Sequence, residues 1–361
     1  MDRRSFLKNS ALGGSAAAAT ALAAPAYAQG NRTLTMVTSW PRGFAGLADA
    51  ADKTAANINA ISDGALTIDV KHAGELVGAF ESFDAVTAGQ ADMYHAADYY
   101  FVNQHPAFAF FTGVPFGMTA TEQNNWYYHG GGMERHHELG EIFGLKSFLA
   151  GNTGAQAGGW FNKEINSPED LQGLKFRMPG LGGKALGNLG VSVQNLPGGE
   201  IYQALASGAI DGTEWVGPWS DEKVGFQEIA KFYYTAGFHE PSAGLSVAVN
   251  LDVFNDLTPA QQAAIEISAG HANVWNLSQY LMNNADSLKR LASGGIKVLE
   301  FPDSVWDAFG GASQKVYDEF MGDELFKSVY DDYVASMRSS SEWISKSSET
   351  YRRQRDRIMG G

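Results

Sequence analysis

The stretch between residues 34 and 93 restricts the fold most. Leu34 to Val37 reads as a strand. A helical stretch follows from about Ala45 to Ile61 and stops at Gly64, and Leu66, Ile68 and Val70 then alternate with polar residues as a second strand. Ser82 to Ala88 reads as a short helix ended by Gly89, leading into Ala91-Asp92-Met93. Strand, helix, strand in that order opens a parallel α/β sheet. A unit of the same build returns 119 positions later, where Ala204, Gly208 and Asp211 repeat Ala85, Gly89 and Asp92. A helix, a capping glycine and an Asp-bearing short strand in both halves is what two similarly built lobes display.

The second half continues in the same style. Ser167-Pro168-Glu169-Asp170 is a helix-start signal, and Leu174 to Met178 reads as a strand with Lys175 and Arg177 on one face. Pro179-Gly180 ends it, Gly180-Leu-Gly-Gly-Lys184 reads as a turn, and Glu200 to Ser207 as a helix capped by Gly208. Thr258-Pro259-Ala260-Gln261 is a capping box opening a helix that meets no strong stop before Gly294-Gly295, long enough to lie across both lobes. Residues 304–359 are again helical in pattern, with Trp306, Phe309, Tyr317, Phe320, Tyr330, Tyr333 and Trp343 as apolar anchors. The last basic run, Arg352 to Arg357, reads either as cations at a helix C-terminus or as a docking surface for a second subunit. At 361 residues, two lobes are expected rather than one core.

The amino terminus predicts export. Arg3-Arg4-Ser-Phe-Leu-Lys8 precedes an alanine-rich apolar stretch that ends at Ala26-Tyr27-Ala28, a small-x-small cleavage site. The paired arginines resemble the twin-arginine signal, so a periplasmic location is expected. Without a cysteine in the chain, disulfide frameworks, thiolate metal sites and cysteine catalysis are excluded. The net charge of −14, more negative still once Arg3, Arg4 and Lys8 are removed with the leader, disfavours nucleic acid and anionic membrane surfaces as partners.

Catalytic signatures are missing. There is no Gly-x-Ser-x-Gly elbow and no His-Glu-x-x-His, and His136-His137-Glu138 has the wrong spacing for a helical metal pair. The informative segment runs from Arg177 to Asp221. Arg177 lies near the end of a predicted strand, where open α/β sheets bind ligands, and its guanidinium can grip a carboxylate bidentately. Taken alone, it reads equally well as a surface ion-pair partner. Glu214 and Trp215 sit in Ile210-Asp-Gly-Thr-Glu-Trp-Val-Gly-Pro218, a run too apolar and glycine-rich for a solvated loop. A buried glutamate there must be paired, protonated or bound to a cation. Glu240, in His239-Glu240-Pro241, is a second acid at an expected crossover between lobes. Two carboxylates repel an anionic ligand, and a hard cation held by oxygen donors, sodium or calcium, resolves the conflict.

These segments, with Phe176-Arg177-Met178-Pro179-Gly180 and Leu196-Pro-Gly-Gly-Glu-Ile-Tyr-Gln-Ala-Leu205, resemble the extracytoplasmic solute receptors of TRAP transporters, of the DctP type. The likeness is strongest to the subgroup that binds 2-oxo acids such as pyruvate with a sodium ion; a related branch binds lactate with calcium. The resemblance implies an α/β fold of the periplasmic-binding-protein class II type, with two α/β lobes joined by hinge segments and long C-terminal helices. The expected divisions are a cleaved leader at 1–28, lobe I at 29–151 with about 240–275, lobe II at 152–239 with about 276–325, and a helical tail from about 326 to 361 as a candidate dimerisation element. By the same resemblance, Arg177 grips the substrate carboxylate and Gln156 touches substrate and cation. Glu214 and the Trp215 carbonyl complete the metal site, Glu240 lies beside it, and Tyr99 and Tyr100 wall the pocket. The implied partners are a small carboxylate and the membrane permease subunits, with no enzymatic step. Competing readings are a hydroxy-acid receptor that uses calcium, an exported enzyme acting on oxo acids, and a sensor subunit.

Overall fold

The structure, a computed structural model, describes residues 31–360, so the export signal and its cleavage site lie outside the described residues. The strands are β1 (Arg32–Thr38), β2 (Leu66–Lys71), β3 (Met93–Ala96), β4 (Leu145–Asn152), β5 (Gly159–Phe161), β6 (Lys175–Arg177), β7 (Ser192–Gln194), β8 (Gly212–Thr213), β9 (Phe232–Tyr234), β10 (Gly244–Asn250) and β11 (Lys297–Leu299). They form two sheets, ordered β2-β1-β3-β10-β4 and β11-β9-β5-β8-β6-β7. The principal helices are α1 (Leu47–Ile61), α2 (Ser82–Thr87), α3 (Ala120–His129), α4 (Gly132–Ile142), α5 (Gly180–Gly187), α6 (Gly198–Ala206), α7 (Pro218–Val224), α8 (Pro259–Ser293), α9 (Asp303–Phe320), α10 (Glu324–Ile344) and α11 (Thr350–Met359). This is the expected α/β, two-lobed, periplasmic-binding-protein-like architecture with long C-terminal helices. Among the described residues no helix is long and apolar enough to cross a membrane.

The period-2 and period-3.6 patterns locate the core. Leu66 and Ile68 of β2 are buried while Thr67 and Asp69 face solvent. Helix α1 buries Leu47, Ala51, Ala55 and Ile58 on one face. Its entry depends on Gly46, whose φ of +78° is left-handed and whose missing side chain leaves room for the Tyr280 ring.

The internal repeat is real in three dimensions. Gly89 and Gly208 end their helical segments with φ of +72° and +73°. Asp92 then exchanges two hydrogen bonds with Thr35 of β1: its amide donates to the Thr35 carbonyl at 3.0 Å, and its carboxylate accepts from Thr35 N at 2.7 Å. Asp211 repeats this with Lys175 at the start of β6, at 2.7 and 2.9 Å. Each aspartate thereby sets a parallel register, β1 with β3 and β6 with β8. The sheets are nevertheless mixed, because β10 runs antiparallel to β3 and β4, and β5 antiparallel to β8 and β9.

Helix α8 behaves as its capping box predicts: Thr258 Oγ1 accepts from Gln261 N, and 35 residues give a rod of about 52 Å. It packs on β4 and α1 and, further along, on α7. Asn276 links Asn152 N to the Gly46 carbonyl, and Asn284 accepts from Trp219 N at 3.0 Å. Helices α9 and α10 bury Phe309, Tyr317, Phe326 and Tyr333.

Two expectations fail. Gly180 to Lys184 is not a turn but the first part of α5. Gly180, at φ +63°, redirects the chain after Pro179, and Leu181, Ala185 and Leu186 find a core to bury in. Trp343 is no anchor either: it is 72% exposed, since by this point α10 has run past the elements that bury its earlier face.

Candidate functional site

Strand direction decides what meets what. Because β6 and β8 run parallel, with Arg177 opposite Thr213, the side chains at their carboxyl ends, Arg177 and Glu214, emerge together. Strands β5 and β9 are antiparallel, Gly159 opposite Tyr234, so the segment entering β5 and the segment leaving β9 emerge at that same edge. The first carries Gln156 and the second His239 and Glu240. In the other sheet Gly244 at the start of β10 lies opposite Asn152 at the end of β4, and the same edge holds the carboxyl end of β3, which leads to Tyr99 and Tyr100. The two linking segments are bonded to each other: Gln156 N donates to the Glu240 carbonyl, Gly237 N to the Gln156 carbonyl, and Thr153 N to the Ala243 carbonyl, at 3.0 to 3.1 Å.

Arg177 and Glu214 are both fully buried and ion-paired, Nη1 donating to Oε1. Arg177 Nε donates to the Leu196 carbonyl at 3.0 Å, and the guanidinium carbon lies 5.3 Å from the centre of the Trp215 ring, a cation–π stack. Trp215 is itself held edge-on by Phe44, and Gly198 leaves it room that a side chain would fill. Two of the three guanidinium nitrogens are thus committed within the protein. Only Nη2 lacks a partner, so the bidentate fork expected from the sequence is reduced to one free nitrogen. Burial opposes the Arg177 charge, but Glu214, Tyr100 and Tyr99 outweigh it, and its pKa lies above the ordinary value.

Glu240, Gln156, Tyr99, Tyr100 and Trp215 join this pair. All are buried, and Trp40, Thr153 and Val216 share the narrow cavity that the tyrosines, Gln156 and Trp215 line. Burial, then the charge of Glu214, pushes the Glu240 carboxyl well above the usual range, against the opposing pull of Arg177, Tyr99 and Gln156. Glu214 Oε2, Glu240 Oε2 and Gln156 Oε1 are buried without hydrogen-bond partners, as is Arg177 Nη2. Each such atom costs about 1–3 kcal/mol in a finished core. Four gathered at one edge make a cluster suited to a ligand rather than a packing fault. The oxygens are the donor type that sodium and calcium favour.

Residues outside the expected set support this cluster. Asp221, fully buried on α7, accepts from Trp160 Nε1 at 2.9 Å and from the amides of Val216 and Gly217 at 3.1 and 3.0 Å. It fixes the turn after Trp215, and the Val216 carbonyl in turn accepts from Ala157 N beside Gln156. His95 accepts from Trp40 Nε1 at 2.9 Å and holds that indole at the cavity wall. His239 stands 3.5 Å from Glu214 Oε2. Asp221 ends the segment that the sequence marked as informative and His239 precedes Glu240, but a single side chain's direction has no signature in either place. His136 pairs with Asp98 at 2.7 Å and with Tyr127 at 3.0 Å in the core.

Residues 37–323 match the family described as bacterial extracellular solute-binding protein, family 7, also called DctP. A monocarboxylate 2-oxoacid-binding periplasmic protein of Nostoc sp. is 42% identical over 309 residues, 85% of each chain. A TRAP transporter solute-binding protein from Bordetella bronchiseptica, a mixed-occupancy dimer with copurified calcium and picolinate, superposes with a TM-score of 0.89 at 35% identity, covering 91% of this chain and 98% of that one. A TRAP periplasmic solute-binding protein from Pseudoalteromonas atlantica with bound sodium and pyruvate gives 0.86 at 37% identity, covering 89% and 98%. With a family match over most of its length and a cluster of unpartnered buried polar groups where its strand ends converge, the chain belongs to the DctP family of TRAP transporter solute-binding proteins.

Proposed function

We propose that this protein captures a small monocarboxylate, a 2-oxo acid such as pyruvate, together with a bound cation, and delivers it unchanged to the permease subunits of a TRAP transporter. The observation that carries this reading is that Arg177 Nη2 and one oxygen each of Glu214, Gln156 and Glu240 are buried without partners at the same sheet edge. Arg177 Nη2 supplies the positive end for a carboxylate. Gln156, Glu214, the Trp215 carbonyl and Glu240 hold the cation, and Tyr100, Trp215 and Glu240 wall the ligand. Sodium is the proposed ion, with calcium as the alternative; the Pseudoalteromonas and Bordetella relatives support one each. The ion, when bound, adds positive charge that offsets the two carboxylates and attracts the carbonyl and carboxylate oxygens of the ligand.

Arg177 is 0% exposed, so a ligand reaches it only when the lobes separate about the segments 153–158 and 235–243. We take lobe I as 29–151 with about 240–275, lobe II as 152–239 with about 276–325, and the tail as about 326–361. Closure removes water from the contacts and strengthens them. The proposal extends to secretion through the twin-arginine leader into the periplasm, and to a homodimer built through the C-terminal helices.

Native mass spectrometry of the protein as purified, followed by calorimetric titration with pyruvate in sodium and in calcium, tests the reading. One carboxylate and one ion per chain, with the acid recovered chemically unchanged, is expected. Conversion of the acid, or pyruvate binding that ignores both ions, overturns it.

A further inference from the structure

One nitrogen stands among the oxygen donors of this site. His239 is 2% exposed, and neither ring nitrogen has a hydrogen-bond partner. Its orientation is set by its neighbours: a side chain on Gly237 would meet Nδ1 at 2.8 Å and Cε1 at 2.5 Å, and one on Gly182 would meet its Cβ at 2.6 Å. Both positions are glycine: the ring fills the space at Gly237 and the Cβ that at Gly182. Packed this way, Nε2 faces Glu214 Oε2 at 3.5 Å. Arg177 occupies the other oxygen of Glu214, so Oε2 is the free one. Ligand atoms of Glu214, His239 and Glu240 all lie within 4.8 Å of one another.

The 3.5 Å separation is informative. A charge-assisted hydrogen bond would bring these atoms to about 2.7–2.9 Å. Two donors sharing one ion stand about 3.4 Å apart, whether tetrahedral at roughly 2.1 Å or octahedral at roughly 2.4 Å, so the distance fits a shared ion and the nitrogen decides its class. Imidazole is a poor ligand for sodium and calcium, which favour hard oxygens, and a good one for zinc, cobalt, nickel and copper.

We propose that His239 Nε2, Glu214 Oε2 and Glu240 form a mixed nitrogen–oxygen centre that takes a divalent first-row transition ion, zinc being the probe, in competition with sodium or calcium. The inference rests on the reading that Glu214 and Glu240 face a cation. It adds a nitrogen ligand and a different class of metal.

The mature chain is stripped with chelator and titrated calorimetrically with zinc and with calcium, as wild type and as His239→Gln. One zinc per wild-type chain is expected, and the ratio of zinc to calcium affinity should fall at least about tenfold in the variant. One equivalent of copper on the wild-type chain, read by pulsed electron paramagnetic resonance, should show one coordinated imidazole nitrogen, which requires no substitution. Zinc affinity unaltered by His239→Gln, no zinc on the wild type, or no imidazole coupling to copper each overturn the proposal. If pyruvate binding ignores sodium, calcium and Glu214→Gln while zinc still depends on His239, the oxo-acid reading fails and the metal proposal stands.

Discussion

Arg177 and Glu214 are bonded to each other at the ends of two parallel strands, and each keeps one polar atom free: Nη2 of the arginine and Oε2 of the glutamate. A buried pair of this kind gains little net stability, because desolvation consumes most of its Coulomb attraction. In the proposed function its role is to present a positive and a negative contact side by side in a buried site. Arg177→Met should leave Glu214 buried and unpaired, destabilising the fold by about 3–5 kcal/mol. Adding Glu214→Gln to it should restore part of that loss. Both single variants should bind pyruvate at least about 100-fold more weakly, roughly 3 kcal/mol. Denaturant unfolding and calorimetry check the two halves, and an additive double variant would contradict the coupling.

The cation contacts make a separate prediction. In Glu214→Gln the charge is lost while the shape stays, so wild-type dependence of pyruvate binding on sodium or calcium should vanish, with no metal retained in native mass spectrometry. If the variant keeps both its affinity and its metal, Glu214 is no ligand.

Asp221 predicts an effect at a distance. Its carboxylate takes three donors, two from the amides that follow Trp215. Asp221→Asn turns one acceptor into a donor facing a donor, a cost of about 1–3 kcal/mol. The turn should loosen and pyruvate affinity fall about tenfold, more at limiting sodium than at saturating sodium. Trp160→Phe, which removes one donor and leaves both amides served, should have a smaller effect. Equal effects at both sodium levels would reduce Asp221 to a stabilising residue.

His95 links stability to pH. Burial lowers its pKa from an ordinary 6.5 to about 4, and Trp40 donates to its Nδ1, so it is folded in the neutral form. The unfolded chain takes up the proton first. The stabilisation is complete above about pH 6.5 and is lost as pH falls towards 4, a span of roughly 3 kcal/mol. His95→Gln retains an acceptor for Trp40 and cannot titrate. Its denaturation midpoint should therefore fall less between pH 7 and pH 4 than that of the wild type, and parallel curves would sink the assignment.

The tail predicts assembly. Trp343, Tyr351, Ile358 and Met359 are all at least 68% exposed along the final helical stretch, an apolar surface without a partner in one chain. Light scattering should find a dimer for the mature protein and a monomer for a chain ending at Ile344. The same mass for both would place any dimer contact elsewhere.

Much of this was legible in the sequence, for a physical reason. Periodicity, caps and the Asp-bearing repeat are local, and they led to β1, α1, β2 and α8 nearly residue by residue. They also singled out Arg177 and the Glu214-Trp215 run, because a charged residue at a strand end and a glutamate in apolar company are unusual within a few residues. Tertiary structure alone decided that β6 and β8 are parallel while β5 runs antiparallel to both β8 and β9, the arrangement that gathers Gln156, Arg177, Glu214, His239 and Glu240 from segments up to 84 residues apart. It also decided that Arg177 keeps one nitrogen free, that Asp221 braces the turn behind Trp215, that the Gly180 segment becomes a helix, and that Trp343 faces solvent. Such outcomes depend on which surfaces are left to bury and which donors arrive from distant strands. A linear pattern records what each residue prefers, and only the packed chain determines which preferences can be met together.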